Sequence, residues 1–407
     1  MSIRSSLRCA AVVIAIVATA GCQSLPRSKL DRLPTVVSVV DGSAERATLN
    51  ARVYDVVVDE VAAGFYRQDY GGIDWIGEAG SRRAAVVAQP DEIGFYRGLN
   101  ETLALLDDAH TFATGPATNL RRTAARVQSV PSFGFWMTHV DDAWIVTRVR
   151  ESGPAALAGV RVGWRVDTVD GQPFDPETRK GPGTTLIRFT DAADSVHEVS
   201  LTPTLSGREI GRAVRRPDGV LVITFGEFDR ATRDWLRQVL NVELVDPPPA
   251  VVIDLRDNFG GIDREVGLML SPFLGERRLV GIKDFRWLSN RRLWTRREAL
   301  WFGGPLAVLT SPASASGAEI FAAAIQEAGR GPVVGRTTAG AVVGSLTYDL
   351  PDGGRLSVGV VGFRTGAGNI LERAGVVPDI PVTASLADLR AARDPAMEAA
   401  VAALIRP

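Results

Sequence analysis

Pro305-Leu-Ala-Val-Leu-Thr-Ser-Pro-Ala-Ser-Ala-Ser-Gly-Ala-Glu-Ile-Phe-Ala-Ala-Ala-Ile-Gln-Glu-Ala-Gly329 is the stretch on which the fold of this chain turns. A short apolar run passes into a turn of small residues and then into an alanine-rich helical segment. The segment stops at Gly329, a residue suited to the position just past a helix end. Ser316 stands at the helix entry. There its hydroxyl can project from a sharp turn, while the Gly317 amide and the positive end of the helix dipole face any oxyanion formed beside it. The same pattern suits plain capping, because serines such as Ser314 and Ser316 are favoured before a helix. Taken alone, the stretch leaves both readings open.

Outward from it, strand and helix patterns alternate. Val220-Leu-Val-Ile-Thr-Phe225, a helix over about 229–241, the buried run Ala250-Val-Val-Ile-Asp-Leu255 and a helix over about 263–273 precede it. The strand Leu306–Thr310, a helix over about 317–328 and Val333-Val-Gly335 complete the series. Such alternation predicts an α/β core at 206–407, with helices covering a largely parallel sheet. Upstream, 129–205 holds short β-like runs with turn signals, such as Trp144-Ile-Val-Thr-Arg-Val149, Asp170-Gly171 and Thr184-Thr-Leu-Ile-Arg-Phe189, and reads as an all-β domain. Residues 205–218 are poor in large apolar side chains and read as a connection. Between 51 and 128 the apolar residues recur at helical spacing (Val57, Val61, Phe65; then Phe95, Leu99, Leu103, Leu106), which predicts an N-terminal helical domain.

The whole chain has 407 residues, 45% hydrophobic and 23% charged, the make-up of an ordinary globular protein of two or three domains. Its 46 basic and 47 acidic residues leave a net charge of −1, so no bulk field draws it to nucleic acid or an anionic membrane. The two cysteines, Cys9 and Cys22, both precede the folded region, which excludes disulfide frameworks and cysteine nucleophiles there. Three scattered histidines, His110, His139 and His197, make no convincing zinc site, and neither a metal nor a cofactor is expected. Lysine is limited to Lys29, Lys180 and Lys283. Residues 1–21 have the basic start and apolar run, Cys9 to Ala20, of an export signal too short to span a bilayer, which takes about 20 apolar residues. Cys22, directly after Thr19-Ala-Gly21, resembles the lipidation site of bacterial lipoproteins, although Thr19 stands where those have leucine. A tether over 22–50 and a lipid-anchored protein of the cell envelope, facing the periplasm or the exterior, are the expectation.

Three further stretches carry possible chemistry. Ala250-Val-Val-Ile-Asp-Leu-Arg-Asp-Asn-Phe-Gly-Gly261 is a strand ending in paired glycines, where a backbone can approach a ligand, or only a tight turn. In Leu105-Leu-Asp-Asp-Ala-His-Thr111, His110 closes an apolar helical run and could be a base or a helix-end cap. In Ile370-Leu-Glu-Arg-Ala-Gly-Val-Val-Pro-Asp-Ile-Pro381, Glu372 precedes a Gly- and Pro-containing turn.

Together, and in this order, the four motifs resemble those of the C-terminal-processing and tricorn-core clan of serine peptidases: Asp-x-His-Thr, Asp-Leu-Arg-x-Asn-x-Gly-Gly, Ser-Ala-Ser-x-x-Glu and Glu-x-x-Gly-Val-x-Pro-Asp. The resemblance covers nearly all the chain after the tether. It implies a ClpP/crotonase-like layered core, a serine-type peptidase activity on peptide or protein substrates, and Ser316 as nucleophile. One branch uses a lysine 25 residues after the nucleophile, a position held here by Ala341. The tricorn-like branch uses a histidine and a late glutamate, which correspond to His110 and Glu372. Tricorn has a serine directly before that histidine, whereas this chain has Ala109. The implied oxyanion donors are Gly317 with Gly260 or Gly261. An incomplete tetrad also leaves open a peptide-binding scaffold with weak or no hydrolysis.

Ser132-Phe-Gly-Phe135 resembles the carboxylate-binding loop of a PDZ domain, and Glu151–Phe174 its later segments. The resemblance makes Phe133, Gly134 and Phe135 candidates for holding a peptide terminus by strand addition. Residues 277–303 interleave arginines with Phe285, Trp287, Trp294, Trp301 and Phe302, a mixture that could stack nucleic acid. In an exported protein amphipathic strands are the better expectation, and no nucleic-acid partner is assigned.

Overall fold

The computed structural model describes residues 34–127, 131–174, 183–205 and 209–405. The export signal, Cys22 and Lys180 lie outside the described residues. Two compact units form, one from residues up to 128 with 279–294 and 341–373, the other from 129–278, 295–340 and 374–407. The units are therefore not the consecutive blocks of the sequence division at 128/129 and 205/206.

In the first unit, helices span Ala44–Gly64, Trp75–Val87 and Glu92–Leu103. Ser43, Asp74 and Asp91 cap them by accepting from the amides of Arg46, Gly77 and Gly94, each with a glutamate in the following turn that suits the helix dipole. The first helix begins before residue 51 because Ser43 caps it. Val53, Val57, Val61, Phe65, Trp75, Phe95, Leu99, Leu103 and Leu106 are buried together on the facing sides of these helices. The long strand Arg355–Thr365 adds Leu356 and Val358 to that core. It pairs antiparallel with Phe112–Thr114, Gly344–Asp349 and Leu279–Phe285, and the last of these pairs with Arg291–Trp294. Those pairings draw the late segments into the N-terminal helical unit. Arg286 in the arginine-rich stretch donates to the carbonyls of Ala62 and Phe65 at 3.2 Å, and the Trp287 indole donates to that of Ala63. These side chains close the C-terminal end of the first helix, whose last carbonyls have no partner within the helix.

The core sheet of the second unit has six strands: Gly211–Arg215, Leu221–Phe225, Val251–Asp254, Leu306–Thr310, Val333–Gly335 and Ile380–Pro381. The first pair is antiparallel and the rest parallel. Residues 211–215, expected to be a connection, are thus an edge strand. Its half-exposed position admits the arginines that hide the strand pattern. Helices Arg230–Glu243, Asp263–Leu274 and Gly317–Glu327 join the strands. Phe225, Phe228, Phe273 and Phe321 form a chain of ring contacts 5.1–6.1 Å apart against this layer. On another face Val252, Ala307, Leu309 and Val334 pack on Met397 and Ala400 of the helix Pro395–Leu404. Cover on both faces explains the continuous apolar runs of the central strands.

The same unit contains an antiparallel sheet ordered Phe135–Val140, Ala143–Val149, Arg165–Val169, Thr185–Thr190, Val196–Leu201, closed over Val146, Val166, Ile187, Phe189 and Leu201. Among the described residues no helix is long and apolar enough to cross a membrane.

Candidate active site

Ser316 sits where the buried strand Leu306–Thr310 has turned into the helix Gly317–Glu327, with φ 54° and ψ −114°. A non-glycine residue in that region stores about 1–3 kcal/mol of backbone strain. Glu319, fully buried, offsets it. Its carboxylate accepts from the Ser316 amide at 2.9 Å, the Thr338 hydroxyl at 2.6 Å and the Gly340 amide at 2.7 Å. Thr338 Oγ1 in turn accepts from the Val376 amide at 2.6 Å, just past Glu372 in the sequence. Ser314 has a different fate. It is fully buried, donates to the Leu255 carbonyl and accepts from the Ser311 amide, so it is a packing hydroxyl. Ser316 remains half-buried at the head of its helix, with both helix-entry serines now distinguished.

The glycine loop lies against this turn. A Cβ on Gly260 (φ +100°) would stand 2.5 Å from Ser316 Cβ and 2.8 Å from the Gly317 nitrogen. On Gly261 it would meet the Phe228 carbonyl oxygen at 2.4 Å, and on Gly317 it would meet Val266 and Phe228. The Gly260 amide donates to Asn258 Oδ1 at 2.9 Å, so Gly260 serves close approach and its N–H is already committed. Asn258 is itself buried, donates to the Phe225 carbonyl and accepts, through its carbonyl, from the Ala315 amide. It braces the glycine loop and the serine turn together.

His110 and Glu372 belong to the other unit, each half-buried there. The turn before His110 opens with Asp107 in the left-handed region (φ 52°). Asp108 accepts from the His110 amide at 3.2 Å and from the Thr111 hydroxyl. One Glu372 oxygen accepts from the amides of Val342 and Val343 at 2.8 and 3.0 Å. An oxygen of Asp108, a ring nitrogen of His110 and an oxygen of Glu372 lie within 4.8 Å of one another, close enough that the three could also hold a metal ion. Arg373 and Asp107 pair at 2.6 Å and connect the two turns, although both side chains are more than half exposed and the pair adds little stability. Burial pushes the Tyr66 phenol up to about 12; Arg67 opposes the rise, and Asp108, Glu372 and Asp107 add to it.

The structure thus brings Ser316, Gly317, Gly260 and Gly261 together in one unit, and His110 with Glu372 in the other. Glu319, Thr338, Asn258 and Asp108 brace these turns by hydrogen bonds, and no role was assigned to them from sequence. The Ser-x-x-Glu spacing of a capping box was a signal for Glu319. Thr338 had none. In the small β domain, a Cβ on Gly134 (φ +81°) would stand 3.1 Å from Gly153 Cα, its amide donates to Ser132 Oγ, and the Phe133 and Phe135 rings stack 6.3 Å apart.

The strained strand-to-helix turn thus presents the Ser316 hydroxyl beside the glycine loop. Residues 219–382 match the model of Peptidase family S41. The chain is 27% identical over 318 residues to carboxyl-terminal-processing peptidase 2, chloroplastic, of Arabidopsis thaliana, covering 71% of this chain and 61% of that one. It is also 27% identical over 381 residues to tricorn protease homolog 1 of Streptomyces coelicolor, covering 83% and 33%. The chain therefore spans less than two thirds of either relative. Among solved structures, the photosystem II D1 C-terminal processing protease shares the fold with a TM-score of 0.57 at 20% identity, over 82% of this chain and 93% of that one. The tricorn protease shares it at 0.56 and 16%, over 88% and 36%.

Proposed function

We propose that the chain is a serine endopeptidase that cleaves peptides or proteins outside the cytoplasm through an acyl-enzyme, with Ser316 as nucleophile, His110 as general base and Glu372 orienting the imidazole. The observation that carries this reading is the approach of Glu372 to His110 in a chain that has Ala341 where a base lysine would stand. An imidazole, with an ordinary pKa near 6.5, can take the Ser316 proton at neutral pH as Oγ attacks the scissile carbonyl. The carbonyl oxygen then becomes an oxyanion, with the Gly317 and Gly261 amides as its donors, since that of Gly260 is held by Asn258. Such donors are worth about 3 kcal/mol each in a serine peptidase. As the intermediate collapses, His110 returns the proton to the leaving amine. Water, deprotonated by the same ring, releases the acyl group.

The β domain is, in this proposal, a PDZ domain whose Phe133-Gly134-Phe135 loop receives a peptide terminus. The N-terminal signal and Cys22 make the protein an envelope lipoprotein. A peptide-binding scaffold is the alternative that Ala109 favours. A fluorophosphonate probe decides between them: the native protein labels at neutral pH, and Ser316→Ala and His110→Ala do not. Absence of labelling in the native protein selects the scaffold.

A further inference from the structure

We propose that Asp108 is a positioning residue for His110: its carboxylate fixes the turn that carries the imidazole and stands, with Glu372, as one of two anionic groups facing the ring. The proposal rests on His110 being the base. Asp108 is only 9% exposed, and both of its oxygens are engaged. Oδ1 accepts from the His110 amide at 3.2 Å, and Oδ2 accepts from Thr111 Oγ1 at 2.5 Å. Thr111 Oγ1 accepts in turn from the Gly359 amide at 2.9 Å, which ties the turn to the long strand Arg355–Thr365.

The strand leaves room for this carboxylate. A Cβ on Gly359 would stand 2.3 Å from Asp108 Oδ2 and 2.8 Å from a methyl of Val343. Val343 supplies one of the two amides that hold Glu372, and its neighbouring strand Gly344–Asp349 pairs with the one bearing Gly359. A single hairpin therefore places both carboxylates. With an oxygen of each within 4.8 Å of a His110 ring nitrogen, the ring meets two negative charges at a range where one is already effective. The other charged or titratable groups around the turn are Asp107 with its partner Arg373, Arg67, whose guanidinium donates to the Leu106 carbonyl, and Tyr66.

The full chain carrying Ser316→Ala and 15N-labelled histidine, kept in EDTA so that no metal ion occupies the Asp108, His110 and Glu372 cluster, shows only three imidazoles, so His110 can be titrated by NMR without turnover. In Asp108→Asn, His110 is expected to titrate about one unit lower than in its parent, since one lost anionic partner destabilises the imidazolium by about that much, while His139 and His197 do not move. In the Ser316-intact protein the same substitution lowers kcat on the order of tenfold with KM unchanged and moves the acid limb of kcat/KM to lower pH. Asp108→Ser keeps a hydroxyl acceptor for the His110 amide and therefore the turn, and gives the same two shifts should the asparagine variant fold poorly. An unmoved His110 titration in these variants, or a loss confined to KM, overturns the proposal. A protein without peptidase activity still reports the imidazole titration, so failure of the catalytic reading is seen separately.

Discussion

At the scale of single residues, the serine turn is an unfavourable conformation kept in place by one buried carboxylate. Glu319 satisfies three donors at once, and a buried donor left without its acceptor costs about 1–3 kcal/mol. Glu319→Ala is therefore expected to lower stability by roughly 3 kcal/mol or more, by urea denaturation, and to slow fluorophosphonate labelling of Ser316 as the turn relaxes. Glu319→Gln, of the same shape but with one acceptor turned into a donor, should lose about 1–3 kcal/mol. Gly260 tests the other side of the turn. Gly260→Ala puts a methyl 2.5 Å from Ser316 Cβ at a φ of +100° that L-residues rarely adopt, so the glycine loop must move. The labelling rate is expected to fall on the order of 100-fold, the scale of one lost oxyanion donor, with helix content by circular dichroism retained. Equal labelling of Gly260→Ala and the native protein would remove the glycine loop from the site.

At the scale of elements, a charged clamp fixes the strand end that carries the glycine loop. Arg256 donates to Asp254 at 2.7–3.0 Å and to Asp394, at the start of the last helix, at 2.8 Å, while its carbonyl accepts from Ser311. Burial acts to raise the Asp394 carboxyl, but Arg256, with the Met397 amide and Arg216, more than reverses this and holds it below the ordinary carboxylate range. A folded-state value below the unfolded one means stability that is complete above about pH 4 and is lost as the pH falls through the folded-state value. Asp394→Asn should thus lower the melting temperature at neutral pH, with the gap to the native protein closing as the pH is lowered below the ordinary carboxylate range. A gap independent of pH would show that charge does not carry the clamp. The elements themselves were legible where local pattern and packing agree: the strands Val251–Asp254 and Leu306–Thr310 are buried on both faces and read as apolar runs. Gly211–Arg215 was hidden because an edge strand tolerates arginine. Arg355–Thr365 was missed because its burial does not alternate cleanly, both of its sides being covered along much of its length.

At the scale of the whole molecule, the site motifs were legible because each is a local stretch whose residue types follow from chemistry. Their supports were not. Asp108 meets Gly359, far away in sequence, only once Arg355–Thr365 pairs with Phe112–Thr114, and Thr338 meets Glu319 and Val376 only in the assembled core of the other unit. For the same reason consecutive blocks of sequence do not coincide with the compact units. The N-terminus raises the remaining question of place. Among the described residues no helix is long and apolar enough to span a bilayer, and lipid on Cys22 is the attachment proposed for this chain. Each buried methylene contributes about 0.8 kcal/mol, and more than one acyl chain is needed for lasting attachment. Expressed from its full sequence in a bacterium that lipidates exported proteins, the native chain is expected to incorporate labelled palmitate and sediment with membranes until detergent is added. Cys22→Ser should lose the label and appear in the soluble fraction, with Ser316 still reacting with fluorophosphonate. Should Cys22→Ser remain with the membranes, the attachment lies elsewhere in the chain; if neither form is exported, residues 1–21 are not a signal.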